Sequence, residues 1–200
     1  DEGQRLTMHP GPYNCLASPT QKVVDKTIRE LNFHSEQFNM FGFKPSNHNK
    51  INIHVGGAYG DRKSTLARFC KNFHLLNEDT KKRLVIENDD SPNEYSVKDL
   101  FDGVYQVIGI PITFDYFHHK FNTGGLTEEE ALKMASITWP EDVTQCCHYS
   151  ESRRKEKLDE SIRAQAHSDL IYEIINTYGL NIDVVIEAKS KEQAIFKRPT

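Results

Sequence analysis

The sequence predicts an α/β fold of parallel strands closed toward a barrel, and three observations predict it. Apolar runs of strand length alternate with helix-length segments, the pattern of βα units rather than of hairpins. Each run ends in a residue able to hold a metal or a proton: His9, His54, Glu87, Asp115, His148 and Glu187. Neighbouring ends lie 28 to 45 residues apart, which suits one βα unit of about 30 or more residues at each step. In a barrel all strand carboxyl ends converge on one mouth, so the six side chains would share a pocket. An open doubly wound sheet would spread them along an edge. A complete barrel takes about 250 residues, and this chain of 200 enters almost inside a strand. The expectation is a (β/α)8 TIM barrel lacking its first two βα units, with six strands visible and residues 1–200 forming a single catalytic domain, partial at its N-terminus.

The first strand is "RLTM", 5–8, stopped by the breakers of "HPGPY", 9–13. Ser18 as cap and Pro19 at the first helical position open a helix over 20–34. "INI", 51–53, is the second strand, followed by a helix over 62–76, and "RLVI", 83–86, is the third, followed by a helix over 96–108. After the fourth strand, "IPITF" at 110–114, Thr127 and Glu130 form a capping-box pattern at the head of a helix over 127–138. "DVTQCC", 142–147, is the fifth strand. Residues 150–166 then show no apolar period, and a loop that long in a compact domain is more often functional than idle. A helix over 168–178, capped by Ser168 and entered past His167, precedes the last strand, "DVVI" at 183–186.

Composition narrows the function classes. Apolar residues make up 37% and charged residues 27%, as in a soluble globular protein, and no apolar run approaches the roughly 20 residues of a membrane span. Four cysteines at 15, 70, 146 and 147 form no CxxC pair, which disfavours a zinc ribbon and a disulfide scaffold. The chain opens "DEGQR" without a leader pattern, so an intracellular setting is expected: cytoplasm in a prokaryote or virus host, nucleus or mitochondrion in a eukaryote. A net charge of −4 gives no global argument for nucleic acid, so any such contact rests on local basic patches.

His118 follows Asp115 by three positions, and His167 falls on the same side of the domain as the strand ends. With them the candidate set mixes imidazole and carboxylate, a donor set for Mn²⁺, Zn²⁺ or Fe²⁺ and too rich in nitrogen for a Ca²⁺ cage. About eight ligands imply more than one metal, and clustered metals serve phosphodiester hydrolysis by an activated water. Glu87 and Asp115 could instead merely cap the helices that follow them. "VGGAYG", 55–60, lacks both the GxGxxG and the Walker lysine patterns, so it reads as a tight turn rather than a phosphate cradle.

In this order, "HPGPYNCLASP", "HVGGAYGDR", "RLVIENDD", "GIPITFDYFHH", "HYSES", "AHSDLIYE" and "DVVIEAKSKE" resemble the motifs of the UV damage endonucleases, from Arg5 to about Ala194. The resemblance implies a TIM-barrel DNA repair enzyme related to the apurinic endonuclease IV group, nicking double-stranded DNA immediately 5′ of ultraviolet photoproducts. It implies three divalent metals, manganese before zinc or magnesium, held by His9, His54, Glu87, Asp115, His118, His148, His167 and Glu187. Glu87, Glu187, Asp115 and His54 are the expected catalytic members. Two positions depart from the family pattern. Pro12 stands where the family keeps a glutamine, leaving Tyr13 alone as the lesion probe, and Cys146 stands where the family keeps a lysine that can bridge metals.

Arg62, Lys63, Lys120, Arg153, Arg154 and Lys189 cluster near the expected mouth and suit a phosphate backbone. The expected partner is damaged duplex DNA, bound by a monomer without any membrane. Two other classes stay open. TIM barrels with similar ligands also isomerise or epimerise sugars, and a relative impaired at Pro12 or Cys146 would bind damaged DNA without cutting it.

Overall fold

Ile51–Ile53 (β1), Leu84–Glu87 (β2), Ile112–Thr113 (β3), Gln145–Tyr149 (β4) and Ile182–Ile186 (β5) are the strands of the computed structural model, which describes residues 4–196. β1 pairs in parallel with β2 and β2 with β3, while β4 pairs in parallel with β5. A single parallel bridge from Asp115 to His148 joins the two sheets, and another joins Met8 to Ile51. The parallel order therefore follows chain order, as βα units require.

The order is curled rather than flat. At about 4.8 Å per strand, five steps from Met8 to β5 would separate the flanks by roughly 24 Å in a flat sheet. Instead Arg5 Nη1 reaches Asp183 Oδ2 at 2.7 Å and the Thr144 carbonyl at 2.8 Å. Among the described residues the ring of strands is not closed.

Among the described residues five strands form, not the six expected. The run at 5–8 contributes only the Met8 bridge, because the Leu6 carbonyl accepts the Asn49 side-chain amide and Pro10 has no N–H to extend the ladder. Period-two alternation divides the strand residues between two environments. Leu84 and Ile86, Cys147 and Tyr149, and Val184 and Ile186 belong to the main core with Phe69, Leu100, Val104 and Leu132. Val85, Cys146 and Val185 form a second cluster with Trp139 and Val143. The expected ligands Glu87, His148 and Glu187 share the parity of this inner set.

Helices α1 (Gln21–Met40), α2 (Arg62–Phe73), α3 (Glu78–Arg83), α4 (Val97–Leu100), α5 (Gln106–Ile108), α6 (Tyr116–His119), α7 (Glu128–Ser136), α8 (Arg153–Lys157) and α9 (Gln193–Phe196) surround the strands. The Thr127–Glu130 capping box forms as expected, with Glu130 N donating to Thr127 Oγ1 at 3.3 Å and Thr127 N to Glu130 Oε2 at 2.9 Å. A π turn, Phe101–Tyr105, joins α4 to α5. There Gly103 admits α2, since a Cβ would lie 2.5 Å from Leu66 Cδ1.

Three helix expectations are corrected. Thr20, not Ser18, is the N-cap of α1, because the Ser18 hydroxyl turns to accept the Thr20 N–H. The short α8 falls where a loop was expected. No helix forms over 168–178. Glu156 takes the N–H groups of Asp169 and Leu170, and Glu151 those of Tyr172 and Glu173, the first two donors that a helix capped by Ser168 would turn back to its own carbonyls. No helix among the described residues is long and apolar enough to cross a membrane.

Candidate metal centre

Glu87, the last residue of β2, is fully buried and does not cap a helix. Its Oε2 lies 3.1 Å from His9 Nε2 and 3.7 Å from His54 Nε2, and it accepts the Asn52 side-chain amide. Its Oε1 lies 3.5 Å from His118 Nδ1 and 3.3 Å from His148 Nδ1. Four imidazoles thus converge on one carboxylate.

Asp115 serves two purposes. Its Oδ1 caps α6 by accepting the His118 N–H at 2.7 Å, while its Oδ2 is buried without a partner. Asn88 locks this corner: its Oδ1 accepts the Asp115 N–H at 2.8 Å, its Nδ2 donates to the Asp115 carbonyl at 3.1 Å, and its own carbonyl meets His118 Nδ1 at 2.8 Å. β4 delivers His148, whose N–H donates to the Phe114 carbonyl and whose Nδ1 lies 3.0 Å from Glu187 Oε1. His167 comes from a backbone bridge to Ser152 rather than a helix entrance, and its Nδ1 faces the Glu187 carbonyl at 3.1 Å.

Three groups have ligand atoms all within 4.8 Å of one another: His9, His148 and Glu187; His9, His54 and Glu87; Glu87, Asp115 and His118. Among the described residues, buried side-chain atoms without hydrogen-bond partners include Asn52 Oδ1, Glu87 Oε1, Asp115 Oδ2 and His148 Nδ1. Each such atom costs about 1–3 kcal/mol if nothing satisfies it. Seven of the eight expected ligands supply these groups, and this nitrogen and oxygen donor set with its unsatisfied atoms fits divalent metal ions. His167 joins none of the groups.

Electrostatics describe a site holding protons where cations would sit. Burial pushes the Glu87 carboxyl up, but the charges of His148 and His54 outweigh it and hold Glu87 well below its ordinary range. Burial works against a charged His54, yet the Glu87 charge and the Asp89 carboxylate, 2.7 Å away, raise it to about 10. His148 and His118 are also raised against burial, by Glu87 and by Asp115 respectively. Burial lifts Asp115 to about 6 and lowers His167.

A cavity of about 550 Å³ opens on the cluster, lined in part by His9, Pro12, His54, Asp89, His118 and Glu187. Tyr13, at 86% exposure, stands out beside it in the chain. The basic residues separate into two kinds. Arg62 is held by Asp99 at 2.7 Å and lies over the Tyr95 ring, Arg154 by Glu160 at 3.2 Å, and Arg153 faces Asp169 at 3.8 Å. Lys63, Lys120 and Lys189 have no side-chain ion pair among the described residues. Cys146 is 1% exposed, packs with Val85 and Trp139, and its thiol is pushed up by burial.

Asn52, Asn88 and Asp89 escaped the sequence reading. Their signal was present: Asn52 is a polar residue inside the apolar run "INI", and Asn88 and Asp89 directly follow the strand-ending Glu87.

The family described as UV-endonuclease UvdE matches residues 1–198. The UV-damage endonuclease of Schizosaccharomyces pombe is 38% identical over 201 residues, covering 96% of this chain and 33% of that protein. The UV DNA damage endonuclease of Clostridium perfringens is 31% identical over 199 residues, covering 96% of this chain and 46% of that protein. The crystal structure of SacUVDE superposes with a TM-score of 0.80 at 32% identity, covering 95% of this chain and 62% of that one. D-psicose 3-epimerase from Clostridium cellulolyticum H10 shares the fold alone, with a TM-score of 0.52 at 14% identity over 72% of this chain and 51% of that one. The chain thus spans about a third to three fifths of the length of these relatives.

Proposed function

Because the chain belongs to the UV-endonuclease UvdE family, we propose that it forms the metal-binding part of a DNA repair endonuclease that nicks duplex DNA 5′ of ultraviolet photoproducts. The observation that carries the reading is Glu87, one buried carboxylate shared by four histidines and bordered by unsatisfied polar atoms. In the proposal the parallel strands are the later members of a (β/α)8 TIM barrel, and residues 1–200 belong to one catalytic domain. The setting of such a role is intracellular.

His9, His54, Glu87, Asp115, His118, His148, His167 and Glu187 would hold the metals, three in number and manganese by expectation. Divalent ions bound there would supply Lewis acidity and an activated water for hydrolysis of the phosphodiester. The chain's own groups prepare that centre. Asn52 donates to the Glu87 carboxylate, Asn88 holds the Asp115 backbone by its N–H and carbonyl, and Asp89 orients His54. Glu187 and His54 both line the cavity and would face a scissile phosphate bound there. Lys63, Lys120 and Lys189, without side-chain ion pairs among the described residues, would hold the DNA backbone in register, and the exposed Tyr13 would press on the lesion.

Incubation of the full-length protein with Mn²⁺ and supercoiled plasmid tests the reading. Irradiated plasmid should become nicked and plain plasmid should stay intact, with chelator abolishing the difference. Intact irradiated plasmid together with turnover of a ketose would overturn it in favour of a sugar epimerase.

A further inference from the structure

Lys50 directly precedes β1 and is fully buried. Lys50, Asn52 and His54 alternate along the chain and so share a strand face. Asn52 and His54 both reach Glu87 from that face, and Lys50 Nζ reaches His148 Nε2 at 2.8 Å. Among the described residues no carboxylate lies within ion-pairing distance of the amine. A lysine buried without a carboxylate is costly, and here its polar partner is a ring of the metal centre.

The contact decides how His148 presents itself. An imidazole has two nitrogens, and the bond made by one sets which of them can meet a metal. A metal takes the ring nitrogen that carries no proton, so the ring proton sits on Nε2 and is donated to the Lys50 amine, whose complete burial favours the uncharged form that can accept it. Nδ1 is left over, without a hydrogen-bond partner, 3.0 Å from Glu187 Oε1 and 3.3 Å from Glu87 Oε1. We propose that Lys50 is a positioning residue that holds His148 by Nε2 so that Nδ1 is the metal-binding atom of the His9–His148–Glu187 group. The inference rests on the metal-centre reading and adds a residue to it from outside the ligand set.

Mn²⁺ binding to the full-length protein, measured by equilibrium dialysis, tests the proposal with Lys50→Met, His148→Ala and the double variant. Lys50→Met should weaken one class of bound Mn²⁺ about 10- to 100-fold, as loss of outer partners of ligating histidines does. In the His148→Ala background the same change should add nothing, because Lys50 acts through that ring. Wild-type affinity in Lys50→Met, or losses that simply add in the double variant, would overturn the proposal. If Lys50→Met does not fold, Lys50→Leu decides by the same two criteria: a loss that vanishes with His148→Ala supports it, and wild-type affinity overturns it. Wild-type protein that binds no Mn²⁺ would contradict the metal centre itself, whereas wild-type binding with an unaffected Lys50→Met contradicts only the role of Lys50.

Discussion

His9 Nε2 and Glu87 Oε2 meet at 3.1 Å although 78 positions separate them in the chain. Glu87 compensates the charge of the surrounding imidazoles, so its loss leaves them facing one another. Glu87→Gln should abolish nicking of irradiated plasmid. It should also destabilise the metal-free protein by about 3 kcal/mol, the lower end of the range for breaking a buried ion pair. Plasmid nicking and urea unfolding check the two halves.

Metal uptake should weaken as pH falls. The His54 proton, held from 6.5 up to about 10, must leave before a cation takes its place, and Asp115 is itself protonated below about 6. Calorimetry in buffers of different ionisation heat should show proton release on Mn²⁺ binding, with affinity rising from pH 6 to 9. In the metal-free protein the sign reverses. The raised value of His54 makes its proton stabilising below about pH 6.5, and that contribution is lost as pH rises through about 10.

The basic residues should divide by their partners. Lys63→Ala and Lys189→Ala, whose side chains have no ion pair among the described residues, should each lower the salt slope of DNA binding by about 1. Arg62→Ala should leave that slope unchanged and cost roughly 1 kcal/mol of stability or less, since its guanidinium already serves Asp99 and Tyr95. Fluorescence anisotropy across a salt series distinguishes the two behaviours.

Cys146 should behave as a packing residue. Burial keeps its thiol protonated among Val85, Val185 and Trp139, so the cobalt-substituted protein should lack thiolate-to-metal absorption. Cys146→Ala should cost about 1 kcal/mol and leave metal content as in the wild type.

The strand ends were legible because parallel βα units end their strands on one side, so a histidine or carboxylate after each apolar run marks one edge of the fold. Glu87, His54 and His148 were recoverable from that rule alone. The absence of a helix over 168–178 was not, because Glu151, which takes the Tyr172 and Glu173 N–H groups, comes from the preceding segment and no local pattern announces it. The contraction of 5–8 to one bridge has the same origin, a side chain 43 positions away taking the Leu6 carbonyl. Lys50 was invisible for the complementary reason: its contact with His148 is made across the fold, 98 positions away in the chain.

Metal content of the purified full-length protein, by mass spectrometry after dialysis against Mn²⁺, bears most directly on the centre built around Glu87. Three divalent ions per chain, lost in Glu87→Gln, is the result expected. A wild-type protein that retains no ion, or a Glu87→Gln variant that retains all three, would contradict it.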